Sequence, residues 1–287
     1  MRLRWMVAVV ALGWGGTAGA GGKKDRQLPA DIPVFRVAYP DGLALEETVE
    51  RTRVKDFDGT SQSETTRQVS DLAWSAVPGG WELRSTLRTA TVTRNGAPAS
   101  DMLAELMIGL PVTFRFDPTG TVTGVTGFEP LAARLDAFGV GADLRELLDR
   151  TLDPALLAEK ARLDLESRLG VLSGQPLAPG LRIERPGPQG TSAAWTLAGT
   201  APCPPGTCVE ATSELPLVAG TLDLGTGISA TLDSGTVRGT LWIDPATSLP
   251  WREVRDDERV MSVSISGRTS QGTVRDHIER TWVIVEN

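Results

Sequence analysis

Residues 114–135 read FRFDPTGTVTGVTGFEPLAARL, and two structures compete for them. Gly120, Gly124 and Gly127 ahead of a helix-like run could cradle a phosphate, or they could be the turn and bends of a hairpin that feeds a helix. Asp117-Pro118-Thr119-Gly120 places Asp at i, Pro at i+1 and Gly at i+3 of a type I turn, the residues that such a turn selects. The Thr and Val residues that follow favour a strand. A Walker-type loop needs Gly-Lys-Ser/Thr at its end, whereas residues 127–129 are Gly-Phe-Glu, and the glycine spacing does not fit a dinucleotide fingerprint. Glu129 would also stand where the phosphate belongs. The stretch is therefore read as a hairpin leading into a helix.

Alternation of period two extends from this hairpin in both directions. In WELRSTLR, Trp81, Leu83, Ser85 and Leu87 share one face. In VTFRFD, Val112, Phe114 and Phe116 share one, and in MSVSIS, Met261, Val263 and Ile265 do. One wet and one buried face is the pattern of antiparallel strands covering a core on one side. From Leu181 onward strands are expected at 192–199, 207–215, 218–224, 227–232, 236–243, 249–255, 259–267 and 272–285. Asp244-Pro245 repeats the turn chemistry of Asp117-Pro118.

Between the two strand regions the period changes to that of a helix. Leu131, Leu135 and Phe138 recur at helical spacing, then Leu144, Leu147, Leu148 and Leu152, then, after Pro154, Leu157, Ala161, Leu165 and Leu169. Pro at the first turn and glycines at 139, 141 and 170 punctuate three consecutive amphipathic helices within about 129–169. A shorter helix is expected from Asp101 to Met107. Strands, helices and strands again predict an α+β fold: a curved, mostly antiparallel sheet, half-barrel-like, with three or four amphipathic helices on one side. One β-rich domain would span 34–287, with its helical segment at about 101–170.

The chain opens with Arg2 and Arg4, a short apolar run from Trp5 to Trp14, and Ala18-Gly19-Ala20, the layout of a secretory signal peptide cut after Ala20. Residues 21–33 read as a flexible leader. Spanning a bilayer takes ~20 apolar residues, and no segment after the signal offers them. Export to the periplasm or the extracellular space follows. The net charge of −7 opposes binding to a phosphate backbone, so nucleic acid is excluded as a partner. Cys203 and Cys208, separated by Pro204, Pro205 and Gly206, are expected to pair in an oxidising compartment. Four intervening residues do not fit a redox motif, and the pair lacks the company a zinc site needs.

Catalytic signals are sparse. ATLDSGTV, residues 230–237, matches the apolar-Asp-Ser-Gly turn of aspartic proteases at Leu232, Asp233, Ser234 and Gly235. Such sites need two aspartates sharing a proton, and TLDLGTG lacks the hydroxyl residue that would make a second copy. Asp233 remains the candidate catalytic residue of an alternative hydrolase reading, against a plain turn. His277, the only histidine, alternates with Thr273, Arg275, Glu279 and Thr281 and belongs to a wet strand face. RDDER, residues 255–259, is read as a charged hairpin tip, since it lacks the spacing of a calcium loop. No metal site and no cofactor are expected. The tryptophans on strands supply core bulk.

Two stretches, DPTGTVTGVTGFEPL and GTLWIDPATSLPWRE, together with the export signal, resemble a broad family of exported bacterial β-rich proteins of unknown function. The matching positions are Gly120, Val122, Val125 and Gly127, then Gly239, Asp244, Thr247 and Pro250. That family carries no established catalytic or binding residues. More loosely, the expected fold is similar to periplasmic lipoprotein carriers, and this implies a cavity between sheet and helices that holds acyl chains. The resulting expectation is a non-enzymatic exported protein that binds a hydrophobic ligand or a cell-envelope partner. Leu135, Phe138, Leu148 and Leu157 are the candidate ligand-lining residues.

Overall fold

A computed structural model describes residues 32–37, 39–139, 145, 148, 152–186, 192–225 and 228–285. The expected signal, nearly all of the leader, and most of the helix expected around Leu144 to Leu152 lie outside the described residues.

The described residues form one antiparallel sheet. Its strands are β1 (Ala44–Phe57), β2 (Thr60–Val77), β3 (Gly80–Arg94), β4 (Ala97–Ala99), β5 (Pro111–Phe116), β6 (Val122–Thr126), β7 (Arg182–Pro186), β8 (Ser192–Cys203), β9 (Gly206–Leu217), β10 (Gly220–Gly225), β11 (Ile228–Ile243), β12 (Pro250–Ile265) and β13 (Arg268–Ile284). The spatial order is β6-β5-β3-β2-β1-β13-β12-β11-β9-β8-β7, with β4 added to β3 and β10 to β11. The sheet is open, with β6 and β7 at its ends. Three α-helices are described: α1 (Met102–Met107), α2 (Leu131–Ala137) and α3 (Pro154–Arg168), followed by a 3-10 turn at Gly170–Leu172. The protein is thus predominantly β. The α+β expectation overstated the helices, because strands much longer than the sequence pattern marked take up most of the chain.

The Asp117 turn forms as its residues dictate. Gly120 N donates to Asp117 O at 3.0 Å, and the Asp117 carboxylate accepts from the amides of Thr119 and Thr121. Gly120 has φ +84°, with the Val37 Cβ only 3.0 Å from where its own Cβ would stand. Asp153 caps α3 by accepting from Leu156 N, with Pro154 inside the first turn.

Two expected turns are strand interior instead. Ser234-Gly235 and RDDER both lie mid-strand, in β11 and β12, which pair with each other over nearly their whole lengths. A Cβ on Gly235 would come within 2.7 Å of Glu258 O and 2.9 Å of a Leu217 methyl. That glycine serves a close approach between strands, not a reversal. In RDDER, Asp257 pairs with Arg255 and Arg259 on one face, while Asp256 and Glu258 reach solvent on the other, so a strand interior accommodates these charges without a hairpin tip.

The helices locate the curvature. α3 packs on β6, and the 3-10 turn that continues it meets β7, the opposite edge of the sheet. Fifteen residues of α3 span ~22 Å and the 3-10 turn adds ~6 Å. Eleven flat strands at ~4.8 Å spacing would separate the edges by ~48 Å. The sheet must therefore curl around α3. Arg168 of α3 also reaches Glu253 on β12, at 3.4 Å across the concavity.

Three apolar clusters share the inner face. The largest gathers Phe35, Val37, Tyr39, Leu72, Trp74, Leu83, Phe116, Trp195, Leu241 and Trp282 with Leu165, Leu169 and Leu172. Tyr39 meets Trp74 edge-on, with ring centroids 4.6 Å apart. A second cluster joins α1 and α2 to β5 through Leu106, Leu110, Val112, Phe128, Leu131 and Leu135. The third, Ala230, Leu232, Met261, Val263 and Val274, sits at the far end of β11, β12 and β13, with Phe57, Leu217 and Ile265 packed against it.

Candidate functional site

Register fixes what lies between these clusters. Successive inward positions run Glu47, Val49, Arg51, Arg53, Lys55 and Phe57 on β1. They run Arg280, Ile278, Asp276 and Val274 on β13, and Glu253, Arg255, Asp257, Arg259, Met261 and Val263 on β12. The middle of the concave face is therefore charged, where strand alternation alone anticipates a dry core.

Each of three buried carboxylates on this face is shared between two guanidinium groups. Asp276 accepts from Arg51 Nε and Arg53 Nε, both at 2.8 Å. Asp257 pairs with Arg259, whose Nε lies at 2.9 Å, and with Arg255 Nη2 at 3.5 Å. Glu253 pairs with Arg280 and with Arg168. The Asp276 and Asp257 side chains are 1% and 2% exposed. Isolated carboxylates could not stay ionised at such burial, and paired ones are tolerated only where geometry and hydrogen bonds compensate desolvation. Arginine suits the task because its planar, weakly hydrated fork donates in fixed directions.

Beyond α3 the balance tips toward positive charge. Arg51, Arg53, Lys55, Arg255 and Arg259 face Asp257 and Asp276, with Asp164 of α3 also within 3.9 Å of Arg255, so five cations meet three carboxylates. Asp164 is also engaged by Arg168 at 2.9 Å, and Glu64 nearby is engaged by Arg94 at 2.7 Å. Lys55 makes no hydrogen bond or ion pair among the described residues. Partial burial, and next the Arg53 charge, pull its ammonium below the usual lysine range. Arg255 Nε is buried with no hydrogen-bond partner among the described residues. Asp164 is different, with its side chain half exposed. Desolvation there favours the neutral acid, but Arg168, Arg280 and Arg255 outweigh it and hold its carboxyl below the usual range.

The residues singled out from the sequence fall elsewhere. Leu135 is 1% exposed inside the second cluster, with no free surface to offer a ligand. Leu148 and Leu157 pack on that cluster, and Phe138 is exposed at the end of α2. Asp233 is exposed on a bulge of β11, where Leu232 and Ser234 pair with consecutive residues of β12. Its carboxylate accepts from Ser262 Oγ at 2.9 Å. His277 lies on the outer face with Nδ1 2.8 Å from Asp256. Cys203 and Cys208 are bonded across the turn between β8 and β9, their Cα atoms 5.7 Å apart. No three His, Cys, Asp or Glu side chains gather as a metal site among the described residues. No helix among them is long and apolar enough to cross a membrane.

A shallow polar groove of about 650 Å³ also runs over the outer face, lined by Thr196, Thr212, Thr236, Thr240, Arg238 and Glu214. Arg238 and Glu214 already satisfy each other there, at 3.0 Å. The inner face, with its surplus of donors, is the stronger candidate. A signal for it was present in the sequence: R-x-R-x-K at 51–55 and R-x-D-x-R at 255–259 each repeat charge at strand period, and D-x-I-x-R at 276–280 places two charges on one face around Ile278. Such repeats mark one face but do not say whether that face is wet.

No protein-family profile matches the chain, and no curated protein does. Among solved structures it is similar to lipovitellin, from a study of lipid–protein interactions, at 7% identity and a TM-score of 0.46, over 86% of this chain and 25% of that one. The chain thus spans a quarter of the lipovitellin chain. A DUF1329 family protein from Desulfovibrio piger ATCC 29098 aligns at 11% identity and a TM-score of 0.17, covering 83% of each chain. An outer membrane channel from Pseudomonas putida F1 aligns at 8% and 0.19, over 90% of this chain and 100% of that one. At these identities and scores no family is assigned, and what the chain does has to be read from its own residues.

Proposed function

We propose that the protein is an exported, non-enzymatic binding protein of the cell envelope, holding a hydrophobic ligand or an envelope partner on the inner face of its sheet. The observation that carries this reading is that, among the described residues, the helices cover only part of that face. The helices pack mainly on β3 and β6, while Phe57, Leu217 and Ile265 at the far end are only partly buried, beside charged side chains with unused donors. A curled sheet with an apolar patch and polar groups converging beside it is the usual make-up of a binding site. The Cys203–Cys208 bond supports export, since disulfides persist in oxidising compartments. The hydrolase alternative gains no support from Asp233, whose exposed bulge offers neither a cleft nor a desolvated carboxylate.

Native mass spectrometry of the protein, purified gently from its own envelope, tests the reading. A ligand-bound species is expected, with extra mass that disappears on organic extraction and yields a defined apolar molecule, or else a stoichiometric envelope protein. A bare chain under conditions that preserve other envelope complexes would refute it.

A further inference from the structure

The occupant of the inner face is narrowed by the charges that line it. We infer that the patch formed by Arg51, Arg53, Lys55, Arg255 and Arg259 binds a phosphate group, either free or as the head of an amphiphile whose tail lies toward Phe57, Met261 and Val263. The inference rests on reading this face as the ligand surface and adds the chemistry of the ligand.

Three independent features favour a phosphate over a neutral ligand. The first is charge: five cations share Asp257 and Asp276, and a further acid in reach, Asp164 at 3.9 Å from Arg255, is itself paired with Arg168, in a chain whose net charge is −7. Self-repulsion among clustered cations works against a compact fold, and an anion bound there relieves it. The second is unused donors. Among the described residues, Lys55 makes no hydrogen bond or ion pair, and Arg255 Nε has no hydrogen-bond partner. Arg51 and Arg53 spend part of each fork on the single carboxylate of Asp276 and keep further N–H groups. Guanidinium forks match the geometry of phosphate oxygens, and an ammonium adds a point charge.

The third feature is access combined with continuity. The Arg51 and Arg255 side chains are 36% and 27% exposed, so the patch can be reached. One strand step further, Lys55 is followed inward by Phe57, and Arg259 by Met261 and Val263. A head group on the cations would leave an attached chain beside the apolar cluster. Asp257 and Asp276 do not cancel the site, because each is already shared between two guanidinium groups and serves to hold them in place.

The test uses the mature, disulfide-bonded protein with two probes. Inorganic phosphate is titrated calorimetrically, and binding to phosphatidic acid vesicles is compared with binding to phosphatidylcholine vesicles. Saturable phosphate binding is expected, along with phosphatidic acid binding that phosphate displaces. The Lys55→Gln and Arg51→Gln variants should each weaken both by about tenfold, the value of one charge-assisted contact. Arg275→Gln, on the outer face, should change neither, and thermal melts check that all three variants stay folded.

Phosphate binding without vesicle binding would support the site and identify free phosphate as its source. Affinity for phosphatidic acid that phosphate displaces would identify the lipid head. Failure of both probes to bind, or binding unchanged in folded Lys55→Gln and Arg51→Gln proteins, would overturn the inference. A native ligand without an anionic group would overturn it too, while leaving the proposed function standing. Site-dependent phosphate binding by a protein isolated bare would do the reverse.

Discussion

Between β3 and β6 the inner face is built from Leu83, Val112, Phe114, Phe116 and Val122, with helices over it. Across β1, β13 and β12 the same face is built from Arg51, Arg53, Asp276, Asp257 and Arg259, and α3 forms ion pairs with it through Asp164 and Arg168. Both regions are largely buried and belong to one continuous sheet. In the first, burial removes apolar surface from water and stabilises the fold directly. In the second, burial costs desolvation that ion pairs must offset, so that region contributes shape and charge more than stability. A protein that only needed to fold would gain little from the second arrangement. The proposed binding role would account for its presence.

The comparison can be broken most forcefully on the apolar side. Phe116→Ala removes a fully buried ring that lies 5.2 Å from Trp74, centroid to centroid, and should cost about 4 kcal/mol in urea unfolding. On the charged side, Asp276→Asn keeps one acceptor oxygen but leaves Arg51 and Arg53 facing each other without their shared counter-charge. A loss of about 3 kcal/mol is expected, at the low end for a broken buried pair because Arg51 can turn toward water. If Asp276→Asn proved neutral in the same assay, the charged face would be solvated and the contrast between the two regions would collapse.

Acid sharpens the contrast further. The folded-state pKa of Asp164 lies below its unfolded value, so its contribution is present above the unfolded pKa, about 4, and is lost as pH falls through the folded one. Urea midpoints measured at pH 7 and pH 3 should therefore fall less in Asp164→Asn than in the parent, whereas Phe116→Ala should carry the parent's pH dependence. The smallest effect is expected at Lys55. Its pKa is lowered in the fold, so the protonated form that dominates at neutral pH is disfavoured there and stability rises as pH climbs through the folded pKa. Lys55→Gln should accordingly leave the unfolding free energy unchanged or raise it by less than about 1 kcal/mol. A clear loss of stability would mean that the lysine has a structural partner after all.

Much of the fold could be read along the chain because it depends on local rules. The Asp117 and Asp244 turns, the caps of α1 and α3, and the inward apolar sets of β3, β5 and β12 follow from residue type and period two. Longer-range features could not be read this way. Gly235 and RDDER carried strong turn and tip signals, yet cross-strand neighbours made both of them strand interior. Leu135 had the spacing of a groove-lining residue, and only packing against Leu106 and Phe128 showed it to be core.

The sequence by itself determined that this chain alternates as antiparallel strands around a short helical insert, that two cysteines flank a tight turn, and that certain strands carry charge at every second residue. It could not say which face those charges occupy relative to solvent. Alternation divides a strand into two faces, but the curl of the sheet around α3 decides which face is enclosed, and that curl depends on contacts between residues far apart in the chain. Only the tertiary structure gathered Arg51, Arg53, Lys55, Arg255 and Arg259 onto one concave surface, because register across β1, β13 and β12 sums charges that are unremarkable one strand at a time.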